Sequence, residues 1–265
     1  MPYSFRSGVS IYYEVVGEGK PLFMLHANPC DHRMWMYQIS HFSRYFKVIA
    51  SDMRGYGRSD KPQNLYAFND LVRDVVGICQ QENVSEGILM GASMGSKIGF
   101  KIGIDYPDLF QAQIHVGGNS FRGSSYDARI IGYEKEHLPS YRKMHLKELF
   151  APGFVDTKRG NYLSKVVLED SILLSGKAIS SLFHTFDKIE LSHEVSQIKV
   201  PVLIVNGEYD NSLEGGKKTA NLIKSSKHQT ILGTGHLCNL EDPWAFDSIV
   251  EEFLQKHKLF PPLLK

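Results

Sequence analysis

The sequence predicts an α/β protein built on a mostly parallel sheet. Short apolar runs rich in Val, Ile and Leu recur along the chain, and amphipathic helical patterns lie between several of them. One long stretch, residues 119–198, interrupts this alternation. Strands that alternate with helices form βαβ units, whose parallel sheet is covered on both faces. We therefore expect a sheet flanked by helices, with one helical insertion.

Seven runs have the composition of buried strands. Each is short, apolar and bounded by residues that favour turns. They are Val9–Val16, Leu22–His26, Lys47–Ala50, Gly87–Gly91, Gln113–Val116, Val202–Asn206 and Gln229–Leu232. Functional residues of such a sheet lie at the carboxyl ends of its strands, so the residues that follow these runs are the first candidates for a site.

Apolar residues at three- and four-residue steps indicate two helices in particular. The first covers Asn69–Gln81, with Asn69 or Asp70 as a possible cap. The last covers Pro243–Lys256, with Asp242 as its cap and proline at its first position. These patterns predict crossover and terminal helices of the sheet.

The interrupting stretch has its own helical pattern. Tyr162–Leu174 repeats apolar residues at helical spacing, and residues 119–198 contain no convincing strand. We expect residues 1–118 and 199–265 to form the core and residues 119–198 to form a helical cap. Such a cap would roof a pocket at the strand ends and so influence which substrates bind.

The charge balance argues against a nucleic-acid partner. Thirty Lys and Arg residues face 29 Asp and Glu residues, which gives a formal net charge of +1. Binding to a phosphate backbone needs a broad basic surface instead. No apolar run approaches the roughly 20 residues that cross a bilayer, so no membrane partner is expected either.

Cysteine usage and the N-terminal segment predict a cytoplasmic protein. Cys30, Cys79 and Cys238 are too few and too widely spaced for a disulfide framework or a zinc knuckle. Arg6 and Glu14 stand where a secretory signal needs an unbroken apolar stretch. A reducing compartment fits both observations.

The clearest chemical motif is Gly91-Ala92-Ser93-Met94-Gly95. It directly follows a predicted strand and directly precedes a helical pattern over Ser96–Ile104. A serine on such a turn has a strained backbone that exposes its Oγ, and small neighbours permit the close approach that the turn requires. Ser93 is therefore the candidate nucleophile.

A serine nucleophile needs a base, normally a histidine oriented by a carboxylate. His236 lies in a glycine-containing loop between the last predicted strand and the last helix, which favours it over the other histidines. His115 lies inside a predicted strand, and His145 is one of eight histidines that we expect at the surface or in the cap. Asp210 follows the Val202–Asn206 run, and the order nucleophile, acid, histidine is one known for this triad. Glu208 is the alternative acid, but its position nearer the strand favours local packing.

An acyl-transfer site also needs two donors for the oxyanion. The amide of Met94, at the start of the helix after Ser93, is one candidate. The other is Asn28, in the loop after the Leu22–His26 run, through its backbone N–H and with its side chain as a further donor. We expect His26 to hold this loop by hydrogen bonds to its backbone.

Several segments together resemble the α/β-hydrolase family. Besides the Ser93 motif, Ser51–Pro62 resembles the loop after the family's fourth strand, His26–Pro29 its oxyanion loop and Gly233–Phe246 its catalytic-histidine segment. The resemblance covers nearly the whole chain and implies an eight-stranded, mostly parallel sheet with flanking helices and an inserted cap. One departure is Ala27, where the family commonly has glycine.

The resemblance implies a serine hydrolase that cleaves a small carboxylic ester or lactone, similar to the esterases and lactonases of the 3-oxoadipate enol-lactonase type. No cofactor or metal is expected, and the protein would be a monomer or a small homo-oligomer. Epoxide hydrolases and haloalkane dehalogenases of the family have Asp in place of Ser93. Two alternatives stay open, a C–C bond hydrolase of ring-cleavage products and a ligand-sensing receptor with slow hydrolysis.

An enol-lactone substrate would also need a partner for its carboxylate. The candidates are basic residues of the predicted cap, although long basic side chains on a helical insert are usually solvated. They are Arg122, Arg129, Arg142 and Lys143.

Overall fold

An eight-stranded sheet forms the centre of the protein. The computed structural model describes residues 2–123, 126–169 and 174–261. The strands are β1 (Tyr3–Arg6), β2 (Val9–Val16), β3 (Pro21–Leu25), β4 (Lys47–Ser51), β5 (Gly87–Ala92), β6 (Phe110–Val116), β7 (Val202–Gly207) and β8 (Ser226–Ile231). Their order is β1-β2-β4-β3-β5-β6-β7-β8. β2 is antiparallel to both of its neighbours, β1 and β4, and the five remaining strand pairs are parallel, which confirms the predicted mostly parallel sheet.

Helices cover both faces of this sheet. They are α1 (Met36–Phe42), α2 (Phe68–Gln81), α3 (Met94–Asp105), α4 (Tyr126–Lys135), α5 (Leu138–Leu149), α6 (Lys158–Leu168), α7 (Gly176–Asp187), α8 (Leu213–Leu222), α9 (Cys238–Glu241) and α10 (Pro243–Lys256). Along β3, Leu22 and Met24 pack on the side of α1 and α10, whereas Phe23 and Leu25 pack on the side of α2 and α3. Both faces are therefore buried, which explains why the strands read as continuous apolar runs.

Each predicted strand corresponds to an observed one within a few residues. The apolar pattern does not predict β1, because only Ser4 of its four residues is buried. Phe5 is 74% exposed in this strand. An edge strand without an apolar run cannot be recognised from periodicity alone.

The predicted helices are also present, with one difference at a cap. The terminal helix matches α10, and Asp242 Oδ1 accepts the amide of Ala245 at 3.0 Å. In α2 the helix begins before the expected cap residues, and Asp70 accepts the Ala67 amide at 2.9 Å from within the first turn. The carboxylate therefore stabilises the helix start from the third helical position.

Four helices, α4 to α7, lie between β6 and β7. The pattern predicted over Tyr162–Leu174 corresponds to α6 up to Leu168, while residues 170–173 lie outside the described residues. Phe183 of α7 packs against α4, with ring centroids 5.6 Å from Tyr133. No strand occurs between β6 and β7 in the part of the chain that the structure describes. The division into a core and a cap at residues 119 and 198 stays a prediction.

The insert formed by α4 to α7 is tied to the core at two loops. Thr185 of α7 donates to the Tyr66 carbonyl at 2.9 Å, and Ser181 donates to the Gln63 carbonyl at 3.2 Å. Arg142 of α5 donates to the Pro29 carbonyl. These contacts fix the helices over the carboxyl ends of the strands.

Two further observations concern the cysteines and the length of the apolar helices. Cys30, Cys79 and Cys238 are free and buried. Within residues 2–123, 126–169 and 174–261, no helix is both long and apolar enough to cross a membrane.

Replacement of two helical glycines should have opposite effects on stability. A Cβ on Gly95 would lie 2.8 Å from Leu25 Cβ and 2.9 Å from the His26 carbonyl oxygen. Gly95→Ala should lower the free energy of unfolding by about 1–3 kcal/mol, the usual cost of overpacking. On Gly77 a Cβ would be 3.6 Å from its nearest neighbour, so the control Gly77→Ala should raise it by up to about 1 kcal/mol. Urea unfolding measures both, and equal effects would contradict the packing described.

Candidate active site

Ser93 lies on a strained turn between β5 and α3. Its backbone has φ 51° and ψ −107°, a left-handed φ that costs a residue with a side chain about 1–3 kcal/mol. The turn is held by the Ser93 amide, which donates to the Val116 carbonyl at 2.8 Å. A Cβ on Gly91 would lie 2.6 Å from the Gly95 carbonyl oxygen. Both glycines are thus required by close backbone approach, as the motif predicted.

A cavity of about 550 Å³ lies beside this turn. Four of the five predicted site residues line it, namely Asn28, Ser93, Met94 and His236. Its other walls come from both the core and the insert, including Lys97, Tyr126, Arg129, His145, Phe183 and Lys218. Asp210 lies behind His236.

His236 and Asp210 form a direct pair. His236 Nδ1 lies 2.7 Å from Asp210 Oδ1. Burial disfavours the imidazolium, but the charge of Asp210 and this hydrogen bond outweigh burial and raise the pKa of His236 above its ordinary value. The pair therefore stabilises a proton on His236 Nδ1 and leaves Nε2 as the acceptor.

Other donors keep Asp210 ionised. Its carboxylate accepts the Ser212 amide at 2.8 Å and Asn206 Nδ2 at 2.7 Å. Although burial opposes ionisation, the charge and hydrogen bond of His236, together with these donors, hold the pKa of Asp210 at about 2. Glu208 instead accepts the Gly233 amide at 2.9 Å. The local role expected for Glu208 is confirmed.

His236 and Ser93 flank the same backbone segment. Ser93 is hydrogen-bonded to Val116, and the next residue, Gly117, has φ 57° and packs against the His236 ring. A Cβ on Gly117 would lie 2.7 Å from His236 Nδ1. Glycine here gives the imidazole its space, a role that the sequence alone did not reveal.

At the predicted oxyanion residues, the backbone amides and the Asn28 side chain differ in their hydrogen bonding. Within the described residues, neither the Asn28 nor the Met94 amide donates to another residue. The Asn28 side chain, expected as a further donor, is engaged elsewhere. Its Oδ1 accepts from the Tyr56 hydroxyl, and its Nδ2 lies 3.2 Å from Tyr133 Oη and 3.1 Å from His145 Nδ1. The side-chain amide of Asn28 therefore connects the loop after β3 to the insert.

His26 holds the same loop from the core side. Its Nε2 accepts the Met53 amide at 2.9 Å, so its Nδ1 carries the proton and donates to the Ala27 carbonyl at 3.0 Å. Burial lowers the pKa of His26 and keeps it neutral. The predicted structural role of His26 is confirmed.

His145 is a cavity residue that sequence reasoning missed. It lies on α5, is 6% exposed, and has Nδ1 at 2.9 Å from Tyr133 Oη. Burial holds the pKa of His145 well below its ordinary value. Since Asn28 Nδ2 can only donate, Nδ1 of the neutral ring accepts and Nε2 carries the proton. No pattern near His145 marks it, because its role depends on how α5 packs on the core.

Glu241 is a second residue that the sequence did not mark. Its carboxylate accepts the Gly235 amide at 2.6 Å and the Ala151 amide at 3.0 Å. Burial raises the pKa of Glu241 to about 7, although the two amides oppose this shift. Glu241 thus joins the loop that carries His236 to the insert.

One cluster has the composition of a metal site. Ligand atoms of Asp31, His32 and Asp52 lie within 4.8 Å of one another. However, Asp52 accepts from the amide and Nδ1 of His32, and Asp31 accepts from Arg33. These hydrogen bonds connect the loops after β3 and β4, and the cluster is separate from the residues that line the cavity.

Comparison with known proteins agrees with this architecture. The family model of the α/β hydrolase fold matches residues 20–243. 3-Oxoadipate enol-lactonase 2 of Acinetobacter baylyi is 23% identical over 255 residues, which cover 94% of each protein. Epoxide hydrolase 4 of Homo sapiens is 37% identical over 282 residues, which cover 94% of this chain and 77% of that protein.

Solved structures give the same result. The enol-lactonase from Burkholderia xenovorans LB400 superposes with a TM-score of 0.90 at 22% identity, over 96% of this chain and 100% of that one. At this identity the likeness concerns the fold. Together with the family match over most of the sequence and the strand order, it establishes that this chain belongs to the α/β-hydrolase family.

Proposed function

We propose that the protein is a serine hydrolase that cleaves a carboxylic ester or a lactone. The observation that carries the proposal is the placement of Ser93, on its strained turn, at the same cavity as a histidine whose Nδ1 is held by a buried carboxylate. This combination supports a nucleophile, a base and an orienting acid. The hydrolase family of the chain is consistent with it.

In the proposed reaction Ser93 Oγ attacks the substrate carbonyl while His236 Nε2 takes its proton. The C–O bond to the leaving group breaks as His236 returns the proton to the leaving oxygen, and an acyl ester remains on Ser93. Water then attacks the acyl group, again with His236 as base, and releases the carboxylic acid and Ser93 Oγ–H. Asp210 stays ionised throughout, because the charge of His236 and the hydrogen bonds to the carboxylate keep the pKa of Asp210 low.

The backbone amides of Asn28 and Met94, which donate to no other described residue, are the proposed oxyanion donors. Donors of this type are worth about 2.7–4 kcal/mol each in the reaction barrier. Met94 is the first residue of α3, where the helix dipole also favours negative charge. Hydrogen bonds of Asn28 to Tyr56 and His145 would hold its amide in position.

Two relatives point to different substrate classes. A similarity to 3-oxoadipate enol-lactonase 2 supports a lactone or ester, whereas the similarity to epoxide hydrolase 4 raises an epoxide as an alternative. Epoxide hydrolases of this family use Asp at the nucleophile position, where this chain has Ser93. The serine favours acyl transfer. A cytoplasmic location and a monomeric or small oligomeric state stay predictions.

Replacement of the proposed nucleophile provides the main test. Ser93→Ala should lower kcat for p-nitrophenyl esters and lactones by at least about 10⁴-fold, as loss of a triad nucleophile does, and should abolish labelling by a fluorophosphonate. The control Ser164→Ala changes a serine of α6 whose hydroxyl donates to the Gly160 carbonyl at 2.8 Å and which is not among the residues that line the cavity. Normal turnover in Ser93→Ala would contradict the proposal.

The same assay separates the alternatives. Labelling of Ser93 with very slow multiple turnover and a ligand-dependent rise in Tm would identify a receptor. Faster cleavage of a ring-cleavage diketone than of any ester would identify a C–C hydrolase.

The pH dependence should follow the His236–Asp210 pair. His236 acts as base only when neutral, and its pKa lies above the ordinary 6.5, so kcat/KM should fall as the pH is lowered through a midpoint above 6.5. Asp210→Asn should lower kcat about 10⁴-fold. Histidine NMR should show the pKa of His236 lower in this variant, because burial then acts without its partner. An unchanged His236 pKa in Asp210→Asn would contradict the assigned pairing.

A further inference from the structure

We propose that Lys97 is the binding site for an anionic group, a carboxylate, on the acyl portion of the substrate. The inference rests on the proposed function and specifies its substrate class as esters or lactones of short dicarboxylic acids. It comes from the position and burial of a single lysine that has no carboxylate partner among the described residues.

Lys97 lies in the first turn of α3, the helix that directly follows the proposed nucleophile. It lies four residues after Ser93, and its amide donates to the Ser93 carbonyl at 3.3 Å. This hydrogen bond spans the first turn of α3, so the backbones of the two residues lie about 6 Å apart. Both side chains line the cavity. A substrate with its carbonyl at Ser93 would therefore extend past Lys97.

Lys97 is a buried cation without a carboxylate partner. The residue is only 4% exposed, and Nζ donates to the Phe121 carbonyl. In the described parts of the chain, no carboxylate oxygen lies within 4.0 Å of Nζ. Burial lowers the pKa of Lys97 to about 8, although the charge of Glu190 opposes the shift.

The Glu190 carboxylate is hydrogen-bonded to two backbone amides. It accepts the Arg122 amide at 2.7 Å and the Ser192 amide at 3.0 Å. An ammonium group that is removed from water costs free energy unless an anion or further hydrogen bonds compensate it. A substrate carboxylate in the cavity would supply that compensation.

The other basic residues are less suited to this role. Arg129 is paired with Glu148, and Arg122 is 56% exposed and lies 2.7 Å from Asp187. Arg142 donates to the Pro29 carbonyl, and Lys143 is exposed; neither is among the lining residues. The cap residues expected to hold a carboxylate are thus engaged or outside the cavity. Lys218 lies at the cavity, is exposed, and adds to its positive field.

The test compares two esters that differ in charge. p-Nitrophenyl valerate has a neutral acyl chain, and the p-nitrophenyl monoester of glutaric acid has an acyl chain of equal length that ends in a carboxylate. In Lys97→Met the ratio of kcat/KM for the anionic ester to that for the neutral ester should fall about 10- to 100-fold, the value of a hydrogen bond to a charged group. Lys97→Arg should recover part of the ratio.

Lys101→Met is the matched control. Lys101 is one turn further along α3 and pairs with Asp105 at 3.0 Å and Glu194 at 3.1 Å. Its replacement should leave the ratio within about 2-fold of wild type. An unchanged ratio in Lys97→Met would overturn the inference, as would an equal loss on both esters, which would mean that Lys97 only fastens Phe121 to α3 or serves the chemical step.

A measurement on the wild-type protein covers the case in which Lys97→Met does not fold. Glutarate should inhibit hydrolysis of the neutral ester at a concentration at least about 10-fold lower than pentanoate does, since only glutarate carries a second carboxylate. Equal inhibition would overturn the inference. Failure of the proposed function is distinguishable, because the wild type would then hydrolyse neither ester and resist fluorophosphonate labelling.

Discussion

The backbone of Ser93 is the constraint on which the rest of the site depends. A left-handed φ of 51° is unfavourable for serine, so the neighbouring structure must hold it. Two features do so: the hydrogen bond from Ser93 to Val116 and the contact of Gly95 with the end of β3. The same turn begins α3, whose residues Met94 and Lys97 line the same cavity as Ser93. One local conformation therefore positions the proposed nucleophile, the proposed amide donor and the proposed anion-binding lysine.

Polar contacts between core and insert complete the cavity. Asn28 in the loop after β3 meets His145 of α5, and Glu241 joins the loop of His236 to Ala151. Each contact links a residue near the proposed chemistry to the segment that roofs it. Changes in the insert would therefore alter substrate choice and the geometry of the loops together, since buried hydrogen bonds of this type are costly to leave unmade.

The sequence was sufficient where the signal is local. Buried parallel strands have continuous apolar runs, and the turn at Ser93 needs glycines at fixed spacing, so both could be predicted. Asp210 and His236 could also be predicted, because each follows a strand. The roles of His145, Glu241 and Lys97 could not be predicted, because the sequence alone does not distinguish a buried polar residue on a helix from a solvated one. The presence of β1 and the hydrogen bonding of the Asn28 side chain also depend on tertiary contacts, so the sequence alone did not predict them.

The most direct measurement is the identification of the covalent intermediate. The protein is mixed with excess p-nitrophenyl acetate, quenched with acid within one turnover and digested, and the modified peptide is located by mass spectrometry. We predict one acetyl group, attached as an ester to Ser93. Hydrolysis without any adduct at such times, or an adduct on another residue, would contradict it.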